Sequence, residues 1–525
     1  MPIEAKWVAV RFPAICCAVT LMAVPVGAQT PLSAIDWLSS SVAAPAGSAI
    51  GSPAATVKRD EAPVTTGGAL PQDVAVSILD APSPDAIGLL SPATTGLPRD
   101  LWGMGLEEEV RAAILRERGD QLPALQALTM TLMLAEAAPP PDSTGKGTLL
   151  LARIDRLLAL GALDQAAGLL RVAPTGDPEL FRRAFDVALL TGNEDQGCRM
   201  MQATPNLAPT FPARIFCVAR SGDWNAAALT LRTAQALGYV TAEEDSLLSR
   251  FLDPDLYEGD ALPPIPARMT PLSWRMFEAI GEPQSTQSLP LAFAHAELRD
   301  TAGWKAQIES AERLARAGVI APNVLLGLYT ERLPAASGGV WDRVEAFQRF
   351  ETALRTGDPG AVAQSLPAAW ARMTEAELEV PFAILFAQDL SRLPLTGQAG
   401  RIAFELGLLS PSYESIAKAR KPESPREAFL IGLATGSLSG ALPPESLGRA
   451  IAPAFLRAGT APEFAALLEQ RRMGEAILLA VEKIGHGVQG NLSGVTDGLA
   501  FLRHVGLEDV ARRTALELML LERRG

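Results

Sequence analysis

From about Leu106 to the end of the chain, apolar residues recur at helical spacing. Leu150, Ile154, Leu157 and Leu158 fall at i, i+4, i+7 and i+8, and Leu507, Val510, Ala511, Thr514, Leu518 and Leu521 form one stripe. Such spacing gives a helix one apolar face. Alternating apolar and polar runs that would mark strands are missing. Glu107, Glu108 and Glu109 open the first helical run, where acidic side chains complement the partial positive charge of a helix N-terminus. Further helices are expected near 304–317, 342–356, 375–392, 445–458 and 473–484, so the expected fold class is all-α.

The helical runs are separated by a recurring break in which glycine is followed by small residues. It reads Gly161-Ala162-Leu163-Asp164-Gln165-Ala166, then Gly192-Asn193-Glu194-Asp195-Gln196-Gly197-Cys198, then Gly222-Asp223-Trp224-Asn225-Ala226-Ala227, with the glycines 31 and 30 residues apart. The theme returns at Gly357 and Gly506. Glycine ends one helix in the left-handed conformation, Asp or Asn caps the next, and small residues let the two helices approach. A lone hairpin of this length cannot bury both faces, so the spacing predicts an α-solenoid or α-α superhelix of stacked helical hairpins. Prolines between 253 and 290 exclude regular helix there, apart from a short run at 273–279. Either one curved solenoid crosses this connection or two helical lobes meet at it.

The Gly222-to-Ala227 turn resembles the Gly-Asp-aromatic-x-x-Ala turn of tetratricopeptide repeats, and the resemblance covers about residues 146–252. The Trp and Tyr positions of that family's first helix lack clear counterparts, so the repeats would be degenerate. The whole chain also resembles exported helical proteins of Gram-negative bacteria that carry no assigned activity, a likeness that implies no chemistry.

Residues 1–28 read as a secretory signal, with Lys6 and Arg11 before an apolar run at 12–26 and Val26-Gly27-Ala28 before a cleavage site. The run is about 15 residues, short of the ~20 that cross a bilayer, and Pro13 and Pro25 weaken it further. The residues before Cys16 and Cys17 do not fit a lipidation site. The expected location is therefore the periplasm, with no integral membrane segment after cleavage. Residues 29–103 are rich in Pro, Ala, Ser, Thr and Gly and are expected to be a largely disordered linker. Within it, 32–38 is read as a short amphipathic helix and 76–102 as a stretch lying extended against the body. Helical repeats at 104–252, the proline-rich connection at 253–290 and a C-terminal helical region at 291–525 follow.

The formal charge is -13, and losing Glu4, Lys6 and Arg11 with the signal would make it -14. An acidic chain repels phosphate backbones, so nucleic acid is not an expected partner. Cys198 and Cys217 would remain after cleavage. In an oxidising compartment they are read as a disulfide, and antiparallel hairpins would bring them together; two separately buried thiols are the alternative. Neither a metal nor a cofactor is expected.

Three motifs invite an enzymatic reading. Ser415-Ile416-Ala417-Lys418 has the S-x-x-K spacing of serine acyltransferases but lacks the downstream partners. Tyr413-Glu414-Ser415 resembles the catalytic step of lytic transglycosylases, yet its basic surroundings oppose the raised pKa that a glutamic acid donor requires. Gly485-His486-Gly487-Val488-Gln489-Gly490 fits G-x-G-x-x-G without the flanking strand and is read as an inter-helix loop. His295, His486 and His504 are far apart. Glu375, Glu377 and Glu379 are read as a solvated helix start. Trp224, Trp274, Trp304, Trp341 and Trp370 are candidates for lining a binding groove, Trp224, Trp304 and Trp341 foremost, with packing between hairpins as the competing role. The sequence thus points to a non-enzymatic module that binds a protein or cell-envelope polymer. A peptidoglycan-processing enzyme using Glu414 or Ser415 is the alternative.

Overall fold

A computed structural model describes residues 37, 83–116, 121–457, 459–488 and 490–521. The signal-like segment 1–28, the 29–82 part of the linker and the 32–38 helix lie outside them, Trp37 excepted. Among the described residues there are twenty-four α-helices, a few 3-10 turns and no strand, so the chain is all-α as its periodicity predicts.

Three successive hairpins pair Thr148–Ala159 with Leu163–Val172, Pro178–Thr191 with Glu194–Ala203, and Phe211–Arg220 with Trp224–Ala236. The glycines of the recurring break turn each of them, with φ of +74° at Gly161, +77° at Gly192 and +90° at Gly222. A side chain at these angles would be strained. Asp223 accepts the Ala226 N–H at 2.9 Å and caps its helix. Asn193 does not cap, because its amide donates to Thr191 Oγ1 at 3.1 Å. Close approach of the helices needs the small residues: a Cβ at Gly197 would stand 2.8 Å from the Phe185 ring.

The packing continues through Ala242–Leu252 onto Pro271–Ala279, which returns to Pro178–Thr191. The 3-10 segment Leu291–Leu298 then packs on both Pro178–Thr191 and Trp304–Arg316, carrying the hydrophobic core across the proline-rich connection.

Helices near the two ends of the described chain also meet. Glu107–Leu115 and Pro123–Leu134 pack on Met473–Val488, and Pro123–Leu134 also packs on Glu508–Leu520. The buried Glu517 carboxylate accepts the Ala124 N–H at 3.0 and 3.1 Å, satisfying a donor that the start of the Pro123–Leu134 helix leaves open. The order of helix contacts thus returns to its beginning, which stacking of hairpins alone does not require.

Residues 83–105 belong to this closure, although the composition placed the linker's end at 103. Leu101 and Trp102 are buried; the Leu101 carbonyl accepts the Gly474 N–H at 2.8 Å, and a Cβ at Gly474 would collide with the Trp102 ring. Asp85 accepts the N–H groups of Leu149 and Leu150 at 2.7 and 3.0 Å. The buried Arg153 donates to the carbonyls of Met133, Ala135 and Ile87 at 2.7, 2.8 and 2.7 Å. Burial lowers its pKa to about 10, which leaves it charged at neutral pH. Residues 83–105 thus form a strap held by hydrogen bonds at Asp85, Ile87 and Leu101 and by the buried Leu101 and Trp102, with no periodic apolar face.

Two local expectations change. Gly485 to Val488 lie inside the Met473–Val488 helix rather than in a loop. Gly487, Gly494 and Gly498 are contact points for the next helix: added Cβ atoms would come 2.3 Å from Val495, 2.5 Å from the Lys483 carbonyl and 2.6 Å from Ile484. Glu375 ends the Pro359–Glu375 helix, Glu377 turns the chain at φ +54°, and Glu379 opens Glu379–Leu390 while only 1% exposed. The acidic triplet therefore spans a turn and is not one solvated helix start.

Candidate functional site

The enzymatic candidates sit on the short helix Tyr413–Ala419. Lys418 Nζ donates to Glu414 Oε1 at 2.5 Å, and Ser415 Oγ donates to the Ser412 carbonyl at 2.9 Å. The lysine is therefore engaged by the glutamate and not by the serine one turn away. Its hydrogen bond holds the Glu414 carboxyl below the usual range, the direction opposite to that required of a proton donor near neutrality. Ser415 borders a pocket of about 320 Å³ that includes Phe404 and Arg420.

The histidines do not converge among themselves into a site. His295 is buried, with Nε2 2.8 Å from the Gly161 carbonyl, and burial lowers its pKa. Among the described residues, no three His, Cys, Asp or Glu side chains are placed to hold a metal ion.

The tryptophans separate by environment. Trp304 is 8% exposed, packs on Trp341 with ring centroids 5.0 Å apart and donates from Nε1 to the Leu328 carbonyl at 2.9 Å. Trp224 is 49% exposed, and its ring lies 5.9 Å from that of Phe251. Phe251 in turn lies 5.5 Å from Phe216. This row of three rings runs to the edge of a cavity of about 750 Å³, which Phe216 and Phe251 both line.

Several elements and their loops build that cavity. Phe211–Arg220 supplies Phe216 and Arg220; Ala242–Leu252 supplies Phe251; Pro271–Ala279 supplies Trp274, Arg275 and Glu278; and Arg299 follows the 3-10 segment. Trp274 is fixed by donation from Nε1 to the Gln284 carbonyl at 2.9 Å and lies under the Arg299 guanidinium, 5.5 Å away. Arg299 donates to both Glu278 oxygens at 2.7 and 2.8 Å, and Arg275 bridges Glu278 and Glu194, the latter at 2.5 Å. Arg220 reaches Asp195 at 2.6 Å and Glu194 at 3.4 Å. Paired, planar guanidinium and carboxylate groups thus form one wall of the cavity and aromatic rings another.

The two cysteines support this wall. Cys198 and Cys217 stand at disulfide-bonding distance, with Cα atoms 5.0 Å apart. They tie Glu194–Ala203, which begins with Glu194, to Phe211–Arg220, which carries Phe216 and Arg220. The sequence singled out the cysteine pair, Trp224 and Trp274. It gave no signal for Arg275, Glu278 or Arg299, which converge only because Pro271–Ala279 folds back between the hairpins and the 3-10 segment.

Comparison with known proteins adds no relative: no protein family, no curated protein and no solved structure matches the chain.

Proposed function

We propose that this protein is an exported, non-enzymatic binding module, and that it engages a protein or envelope polymer at the cavity beside Trp224. The observation that carries the reading is the cavity itself. Its volume of about 750 Å³ lies in the range of ligand sites, and it combines aromatic rings with a few convergent polar groups. The exposed Trp224 supplies the kind of anchor that concentrates binding energy at interfaces. A cysteine pair at bonding distance supports residence in an oxidising compartment, and the glycine-turned hairpins support the likeness to degenerate tetratricopeptide repeats.

Affinity capture from a cell-envelope extract, with the full chain as bait, tests the reading. The expected result is a defined partner retained by wild type, by Glu414→Gln and by Ser415→Ala, and lost with Trp224→Ala. Release of muropeptides from purified sacculi, abolished by Glu414→Gln, would replace the binding module with a peptidoglycan-processing enzyme.

A further inference from the structure

The charges around the cavity restrict what it accepts, given the reading of that cavity as the binding site. Arg220, Arg275 and Arg299 face it, and each is already paired: Arg299 with Glu278, Arg275 with Glu278 and Glu194, and Arg220 with Asp195. Glu297 also lines the cavity; its carboxylate accepts the Thr286 N–H at 3.2 Å and the Ser310 hydroxyl at 2.5 Å. Three guanidiniums and two carboxylates, Glu278 and Glu297, therefore line the cavity, while Glu194 and Asp195 engage Arg275 and Arg220 from outside its lining. An incoming anion would have to displace a carboxylate from a guanidinium that is already paired, and an incoming cation would have to displace arginines from bidentate or shared pairs. Neither sign of ligand is favoured.

Such a wall suits a neutral ligand rich in hydroxyl groups. A paired guanidinium keeps N–H donors that the pair does not use, and a paired carboxylate keeps lone pairs, so donors and acceptors alternate in fixed planes. A vicinal diol both donates and accepts within a few ångströms and can answer both. The Phe251 and Trp224 rings, with the buried Phe216 stacked behind Phe251, provide apolar faces for the C–H side of a sugar ring, and the disulfide-tied wall is preorganised for the contact.

We infer that the cavity binds an uncharged oligosaccharide, with Phe251 and Trp224 as the stacking surface and the arginine-carboxylate wall reading its hydroxyls. The full chain would be titrated by calorimetry with tetrasaccharides of glucose and of N-acetylglucosamine. Tetragalacturonate, a chitosan tetramer and a neutral hexapeptide of alanine and leucine serve as comparators. The expected result is saturable binding of at least one neutral tetrasaccharide, weakened about tenfold or more by Phe251→Ala and by Trp224→Ala. Binding should change little between low and high salt. Trp224 is half exposed, so its variant reports on binding even if Phe251→Ala disturbs folding.

Binding only of the charged sugars or of the peptide overturns the inference, as does the absence of sugar binding up to about 10 mM. The two readings fail separately. If envelope capture still requires Trp224 while no neutral sugar binds, the ligand class is wrong and the site stands. If a neutral sugar binds equally well to both variants, the site is wrong.

Discussion

Residues 83–172, together with the last helices of the chain, bury backbone and charge with care, whereas residues 194–270 leave much of their apolar surface open. The Thr148–Ala159 helix buries nine of its twelve residues, including Arg153, Asp155 and Arg156. The Trp224–Ala236 helix buries three of thirteen, namely Ala227, Leu231 and Ala234. Leu229, Leu237, Leu256, Leu262 and Ile265 are exposed in the second region, as is Trp224. The closed region is held by buried hydrogen bonds that fail badly when one partner is removed. The open region is held by glycine turns, small-residue contacts and one cysteine pair, and it offers surface to something else.

The sharpest way to break this contrast is Arg153→Met. The substitution removes a buried guanidinium and leaves the Met133, Ala135 and Ile87 carbonyls without their donor. A loss of about 4 kcal/mol in unfolding free energy is expected, read from the denaturant midpoint. A loss under about 1 kcal/mol would mean that the strap is not clamped as described.

Removing the cysteine pair with Cys198→Ser and Cys217→Ser should cost about 3 kcal/mol in the chain-entropy model. The location of the loss is the sharper readout. Amide hydrogen exchange should rise across 194–252 while 107–172 stays protected. A uniform rise over both would erase the distinction between the regions.

His295 packs on the closed region, its ring meeting the Gly161 carbonyl from the far side of the proline-rich connection. Burial lowers its pKa, so between its ordinary value near 6.5 and the depressed folded value the unfolded chain binds a proton that the folded chain does not. Stability should therefore fall as pH drops below about 6.5 and level off, for this group, once the folded value is passed. His295→Gln should flatten that part of the stability profile, measured as the difference from wild type across pH 7 to 5. Equal slopes in the two proteins would contradict the assignment.

Most of the architecture was legible because it rests on local chemistry. Gly161, Gly192 and Gly222 announced left-handed turns, Asp223 announced a cap, and the spacing of the hairpins placed Cys198 near Cys217. Less of the C-terminal half was legible. Helices beginning at Pro322, Pro425 and Pro462 were not expected, since proline reads as a breaker although the first helical turn accommodates it well. Gly487, Gly494 and Gly498 looked like loop residues because their role is contact with another helix. The strap at 83–105 carries no periodicity of its own; it is fixed by Arg153 and by the Gly474 N–H, whose positions along the chain do not disclose the pairing. The cavity was hidden for the same reason. Its guanidiniums and carboxylates come from separate elements, and of its surroundings only Trp274 in the lining and Trp224 at the edge stood out in the sequence.

The smallest expected effect on stability is that of Trp224→Ala, under about 0.5 kcal/mol, because the side chain is half exposed and its ring contact is at the surface. Its effect on binding should be the largest of any exposed residue. A stability loss as large as that of the cysteine variant would turn Trp224 from an anchor into a structural support.

The most direct measurement places a photoreactive amino acid at position 224 in one protein and at position 415 in another, then crosslinks each to a cell-envelope extract. The account expects a discrete adduct from position 224 and none from position 415. An adduct from position 415 alone would contradict it and would move the functional surface to the helix that carries Glu414.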